Sequence, residues 1–275
     1  MKALRVIIVV LAVVVACLNV GLHFANATKN EGPIITCDTD TIKVSCHAKN
    51  EEILKHLKAT DKQDGDLTDK IIIEKKSYFT TKSNSRIVFA VIDSDKNIAT
   101  IDRNISYTDY ESPKINMMTD LILPTQGTYS LSNYFTATDV IDGDISNRIK
   151  IISSEFNAAV AGKYKVNVKV TNSMGDYSDV SIDAIVTDRK FSTSIKLSDY
   201  IVYVNCGDDK EIDYRSYISE VDSESKQVTA SNVVVDYSEV NLKKAGVYNV
   251  YYTVGNAASP EGMTRLVVVV EDSAK

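Results

Sequence analysis

The sequence predicts an all-β chain: three β-sandwich modules in tandem behind an N-terminal export segment. Three observations carry that expectation. The N-terminus runs from charged to apolar in a way the rest of the chain does not, and an acidic motif of the Asp-Gly-Asp type occurs twice. The stretches between turn-forming residues alternate apolar and polar side chains, with the period of two that a half-buried strand requires.

The export segment comes first. Lys2 and Arg5 precede an apolar run from Val6 to Leu18, and a more polar stretch follows, with small residues at Ala25 and Ala27. Basic start, apolar middle and an A-x-A end make residues 1–27 read as a signal peptide. The run is shorter than the roughly 20 residues a spanning helix needs, but Val20 and Leu22 extend it, so a retained membrane anchor is the second reading. Val14-Val15-Ala16-Cys17 also resembles a lipidation site, although Leu18, Val20 and Leu22 follow where such proteins turn polar. Each reading puts the remaining residues outside the cytoplasm, secreted or anchored at a bacterial cell surface, with the membrane touched only by this segment.

Composition narrows the function classes. Apolar residues make up 44% of the 275, enough to bury cores, and the net charge of −6 argues against the clustered positive field a nucleic-acid surface needs.

Self-similarity sets the modules. Ala59-Thr60-Asp61-Lys62-Gln63-Asp64-Gly65-Asp66-Leu67-Thr68-Asp69-Lys70-Ile71 recurs as Ala137-Thr138-Asp139-Val140-Ile141-Asp142-Gly143-Asp144-Ile145-Ser146-Asn147-Arg148-Ile149. A second pair, Gly162 to Asn172 and Gly246 to Asn256, links later parts of the chain, and Ile87 to Asp93 is its counterpart further upstream. Modules are expected at 33–111, 113–189 and 191–272, with the short links Asp109–Pro113 and Thr187–Lys190 between them. Each is expected to close over its own apolar interior.

Within a module the strands follow from alternation. Tyr164, Val166, Val168 and Val170 share one face, and Lys165, Asn167 and Lys169 the other. Ile42 to Ser45, Ile71 to Glu74, Val180 to Val186, Ile201 to Val204, Val233 to Asp236 and Leu266 to Val270 are further strands. Several short strands separated by Asp, Asn, Gly and Ser turns bury their apolar faces by packing as two sheets. A helical turn or two, with Asn50 as cap for Glu51 to Lys58, precedes the first acidic motif. Leu131 to Phe135 and Tyr214 to Ile218 hold the same place in the other modules.

The motif A-T-D-x-x-D-G-D-[LI]-[ST]-x-x-I, the strand G-x-Y-x-V-x-V-x-V and the tails Asp93-Ser94-Asp95-Lys96-Asn97 and Asn172-Ser173-Met174-Gly175-Asp176 resemble the bacterial surface-protein immunoglobulin-like repeat. That family is cadherin-like in outline and also occurs in an insecticidal crystal protein. The resemblance covers nearly all of residues 33–272. It departs in the third module, where the motif has become Ser219-Glu220-Val221-Asp222-Ser223-Glu224. It implies an Ig-like sandwich that serves as a spacer or adhesive module and performs no chemistry.

The candidate sites are few. Asp61, Asp64 and Asp66, and likewise Asp139, Asp142 and Asp144, crowd three carboxylates into six residues. Two readings stand: backbone-capping turn chemistry, with Gly65 and Gly143 supplying positive φ, and a calcium site, since calcium takes six to eight oxygen ligands. Cys37 and Cys46 flank a short loop and read either as a disulfide or as two buried thiols, with Cys206 left over. Tyr residues concentrate in the third module, where alternation turns Tyr251 away from the face of Tyr248, Val250 and Tyr252 and makes it a candidate for binding a partner. His23, His47 and His56 are scattered, no G-x-S-x-G, H-E-x-x-H, P-loop or dinucleotide motif occurs, and no enzyme is expected. The expected function is a stalk or adhesin-like module that binds a protein or carbohydrate at the cell surface. The alternative is a structural accessory subunit of an envelope assembly for polysaccharide or secretion.

Overall fold

The computed structural model of the protein describes residues 11–15, 32–208, 211–224, 228–256 and 259–272, with the backbone alone at 153 and 154. Of the export segment, residues 11–15 are helical; Lys2, Arg5, Cys17, Ala25 and Ala27, and with them the readings of cleavage and lipidation, lie outside the described residues. Among the described residues no helix is long and apolar enough to cross a membrane.

The chain is mostly β. Residues 34–107 form β1 (Ile34–Cys37), β2 (Thr41–Val44), β3 (Leu57–Asp61), β4 (Gly65–Asp66), β5 (Ile72–Lys76), β6 (Asn84–Ile92) and β7 (Ile98–Tyr107). They make two sheets, ordered β1-β3-β4 and β2-β7-β6-β5. Next come β8 (Lys114–Met117), β9 (Ile122–Pro124), β10 (Phe135–Asp139), β11 (Gly143–Asp144), β12 (Lys150–Ser154), β13 (Gly162–Thr171) and β14 (Tyr177–Thr187), in the sheets β11-β10-β8 and β12-β13-β14-β9. The last set is β15 (Thr193–Leu197), β16 (Ile201–Asn205), β17 (Ile218–Ser223), β18 (Val234–Asp236), β19 (Gly246–Asn256) and β20 (Ser259–Glu271), in the sheets β15-β17 and β16-β20-β19-β18.

Local sequence explains the strands. In β13, Val166, Val168 and Val170 are fully buried while the residues between them face outward, and the strand pairs antiparallel with β14 from Gly162↔Val186 to Thr171↔Tyr177. The helical turns are shorter than expected. The first covers Asn50–Leu54 and is capped by Lys49, not Asn50; the Lys49 backbone N–H donates to the Glu52 carboxylate at 3.2 Å. It stops because Leu57, Ala59 and Asp61 alternate inward as β3. The counterparts Leu131–Tyr134 and Tyr214–Tyr217 are single 3-10 turns.

The described residues fall into two compact units. One takes those up to Val44, Ala48–Lys76 and Arg86–Ser106; the other takes Ser45–His47, Ser77–Ser85 and those from Tyr107 onward. In the second unit the four sheets of residues 114–271 do not keep separate interiors. Their buried side chains, from Ile115 through Ile182 and Ala184 to Val270, form one continuous cluster. β20 shows why: Arg265, Leu266, Val267 and Val268 are consecutive and all buried, so neither face of the strand meets water there.

Three polar ties accompany that shared core. The Arg265 guanidinium grips Asp120, Nε to Oδ2 at 3.1 Å and Nη2 to Oδ1 at 2.5 Å, and Nη2 also donates to the Asp183 carbonyl at 2.9 Å. The Tyr203 hydroxyl accepts from the Ile115 N–H at 3.0 Å and donates to the Ile115 carbonyl at 2.8 Å. Lys114 Nζ meets Glu271 Oε2 at 2.5 Å.

Candidate functional site

The two acidic loops repeat the same backbone-capping bonds. Asp61 Oδ1 accepts the N–H groups of Gln63 (2.7 Å) and Asp64 (2.9 Å); Asp139 Oδ1 accepts those of Ile141 and Asp142, both at 2.9 Å. Asp66 Oδ1 takes the Thr68 N–H and Asp144 Oδ1 the Ser146 N–H, each at 2.9 Å. Asp64 reaches the Ser94 N–H and hydroxyl at 2.6 and 2.8 Å, as Asp142 reaches those of Ser173 at 2.6 and 2.7 Å. Gly65 and Gly143 turn the chain at φ +75° and +71° with open space where a side chain would stand, so backbone conformation alone calls for glycine there.

These bonds govern the charge. The Ser94 N–H holds the Asp64 carboxyl below its ordinary range, and the Thr68 and Ser146 hydroxyls do the same for Asp66 and Asp144. Burial alone would push Asp142 up, but Ser173 and Arg148 outweigh it. A carboxylate held ionised by a neighbouring N–H and hydroxyl is a turn cap. Among the described residues no group of three His, Cys, Asp or Glu side chains is placed to hold a metal ion. The loops differ in two details, the first being that Arg148 Nη1 donates to Asp142 Oδ2 at 2.6 Å, a bond that Asp64 does not receive among the described residues. In the second, Asp139 Oδ2 receives the Asn172 amide at 3.0 Å, whereas the buried Asp61 Oδ2 receives no hydrogen bond from the described residues. Asp93 stands in the first loop where Asn172 stands in the second, and a carboxylate has no N–H to give.

The disulfide reading is corrected: Cys37 and Cys46 are both thiols, and Cys206 is in no disulfide either. Cys37 ends β1 in register with Leu57 of β3. The Cys46 N–H donates to Asp109 Oδ1 at 2.7 Å, and burial with the Asp109 charge pushes the thiol up to about 12. A thiol held protonated beside a carboxylate is a poor partner for disulfide exchange.

Tyr252 is fully buried and donates to the Tyr214 carbonyl at 2.7 Å, while Tyr251 is half-buried. Tyr251 lies within electrostatic reach of Lys163 and Arg265, beside the ion pairs of Asp183 with Lys163 (2.9 Å) and Lys165 (2.7 Å). The exposed rings are elsewhere: Tyr78 at 73%, Tyr237 at 56% and Tyr177 at 50%.

Tyr78 and Tyr177 line an open groove of about 1010 Å3, all of whose walls belong to the second unit. The Phe79 N–H donates to the Met174 carbonyl at 2.9 Å and pins the segment that carries Tyr78; Phe79 packs edge-on to Tyr110 at 4.6 Å. Tyr110 in turn donates to Asp176 at 2.7 Å and accepts from Asn172 at 2.8 Å. Gly175, at φ +84°, leaves room for Tyr78, whose Cβ and Cγ would lie 3.7 Å from a Cβ added there. Tyr177 follows at the start of β14, with Lys169 Nζ 3.7 Å from its ring centroid. Single exposed tyrosines carry no periodic signal, and nothing in the sequence joins position 78 to position 177.

Fold and loops together define a class: an all-β chain of paired sheets whose repeated carboxylates serve the backbone. The chain matches no family profile. It is 24% identical over 202 residues to the pesticidal crystal protein Cry22Aa of Bacillus thuringiensis, covering 72% of this chain and 27% of that protein. It is 24% identical over 216 residues to an uncharacterized 81.3 kDa protein of Acholeplasma phage L2, covering 76% of this chain and 29% of that one. The chain thus spans under a third of the length of either relative. Among solved structures it is similar to the CBM51-2 and INT domains of Clostridium perfringens ZmpB in complex with GlcNAc (20% identity, TM-score 0.23, 54% of this chain and 26% of that one). It is also similar to Drosophila N-cadherin EC1-4 (9% identity, TM-score 0.25, 86% and 74%).

Proposed function

We propose that the chain is a non-catalytic module of the bacterial cell surface, built of three sandwich repeats at 33–111, 113–189 and 191–272, that displays a binding face as a stalk or adhesin-like protein. The observation that carries this reading is the repetition of the capping bonds in the two acidic loops. A catalytic constellation is needed once, whereas a structural device is reused wherever the same corner must be turned. On this reading the six aspartates shape the backbone and calcium has no necessary part. Residues 1–27 direct export and, if retained, supply the anchor.

The test is topological. The full chain, made with a C-terminal epitope in a bacterial host, should lose the epitope to protease added to intact cells whose cytoplasmic marker survives. An epitope that stays protected with that marker would refute surface display.

A further inference from the structure

We propose that the groove carrying Tyr78 and Tyr177 binds a neutral polysaccharide chain; this rests on the binding-module reading above. Its walls combine exposed aromatic rings with unspent polar groups. Tyr78 and Tyr177 are large exposed rings beside the Gly175 turn; the Phe79–Met174 bond pins the backbone next to Tyr78, and Lys169 lies over one face of the Tyr177 ring. Around them the Asp179 carboxylate and the Asn205 amide are exposed and make no side-chain bond among the described residues. Asp176 is already used by Tyr110, so the unspent polar groups are the outer ones.

A pyranose presents the matching surface, an apolar face of axial C–H groups ringed by hydroxyls that both donate and accept. A tyrosine ring covers such a face, and a carboxylate and an amide at its margin take the hydroxyls. Other ligand classes fit less well. The centre of a protein interface is depleted of charge, whereas Asp176, Asp179 and Glu271 line this groove. Glu271 is paired with Lys114, but Asp176, Asp179 and Asp272 outnumber Lys82 along the lining, a balance that disfavours polyanions such as nucleic acids and anionic wall polymers. The groove is open at about 1010 Å3, the upper end of the roughly 300–1,000 Å3 usual for small-molecule sites, which suits several residues of a continuous chain.

Affinity electrophoresis of the exported full chain, through gels holding dextran, laminarin, xylan or glycol chitin, tests this. Retardation by at least one of these is expected. Tyr78→Ala and Tyr177→Ala should each weaken it about tenfold, a loss consistent with removing one aromatic contact. Tyr237→Ala, an exposed ring outside the groove, should leave it unchanged. Asp179→Ala and Asn205→Ala, which remove little packing, should weaken it severalfold and guard against a tyrosine variant that fails to fold. Retardation by none of the four, by a polyanion such as heparin alone, or with full strength in both tyrosine variants would overturn the assignment. Surface display could survive that failure, since the protease experiment measures it separately.

Discussion

Arg265→Met asks how much the buried ion pair contributes. Arg265 is 0% exposed and the Asp120 side chain 5%, and together they hold the paired sheets of residues 114–187 and 193–271 in one unit. Burial alone would pull the guanidinium down, and the Asp120 charge more than reverses this, so the group is a cation at every accessible pH. Methionine fills similar space but leaves Asp120 as a buried charge without a counter-ion and the Asp183 carbonyl without its 2.9 Å donor. Breaking one side of such a pair costs about 3–5 kcal/mol. At about 2–4 °C per kcal/mol for a unit of this size, the melting midpoint should fall by about 6–20 °C. Asp120→Leu together with Arg265→Met should recover most of the loss, because both desolvation costs vanish at once. Thermal melts of the full chain followed by circular dichroism decide it. A single variant within about 2 °C of the parent, or a double variant lower than either single one, would refute the reasoning.

Acid should destabilise the second unit in a defined window. The Ser45 hydroxyl and Cys46 N–H hold Asp109 at about 2. Burial would raise Asp183, but Lys163 and Lys165 outweigh it and keep that carboxyl low as well. A depressed folded-state value gives stability that is present above the unfolded value near 3.9 and lost as pH falls through the folded one. The gap in melting midpoint between parent and Asp109→Asn should therefore close between about pH 4 and pH 2; a gap constant over that range would exclude the Asp109 bonds as its source. Cys46, with its thiol at about 12, should react with iodoacetamide at pH 8 roughly tens of times more slowly than an ordinary thiol, the lower thiolate fraction outweighing its greater nucleophilicity. Peptide mapping that finds Cys46 alkylated at the rate of a model thiol would contradict this. For the acidic loops, melts of the full chain in millimolar calcium and in chelator should coincide, because a ligand bound only by the folded state must raise the midpoint. A clear rise with calcium would give the aspartates back to the metal.

Local features are legible because they repeat or alternate. Val166, Val168 and Val170 announce β13, and the doubled Asp-Gly-Asp motif announces two identical corners. β20 is half legible: Leu266 to Val270 give its apolar core, but the strand begins at Ser259, and the run of buried neighbours is the mark of a strand covered on both faces. Arg265, at the edge of that run, has the charge expected of a strand's solvent boundary. Its partner Asp120 lies in another part of the chain, and no local pattern marks a pairing made only by tertiary packing. Alternation separates Tyr251 from Tyr252 correctly, since Tyr252 turns in, but it carries no sign that Tyr251 is half-buried within reach of Lys163 and Arg265. Tyr78 and Tyr177 escape the sequence for the same reason; their proximity depends on the Phe79–Met174 bond.

Native-state hydrogen exchange on the full chain bears most directly on the joined core. The amides of Val166 and Val168 in β13 and of Val267 and Val268 in β20 should open with one common free energy, and Arg265→Met should lower all four together. If β20 exchanged several kcal/mol more readily than β13, or if the substitution moved one strand and spared the other, the sheets of residues 114–187 and 193–271 would be separate bodies after all.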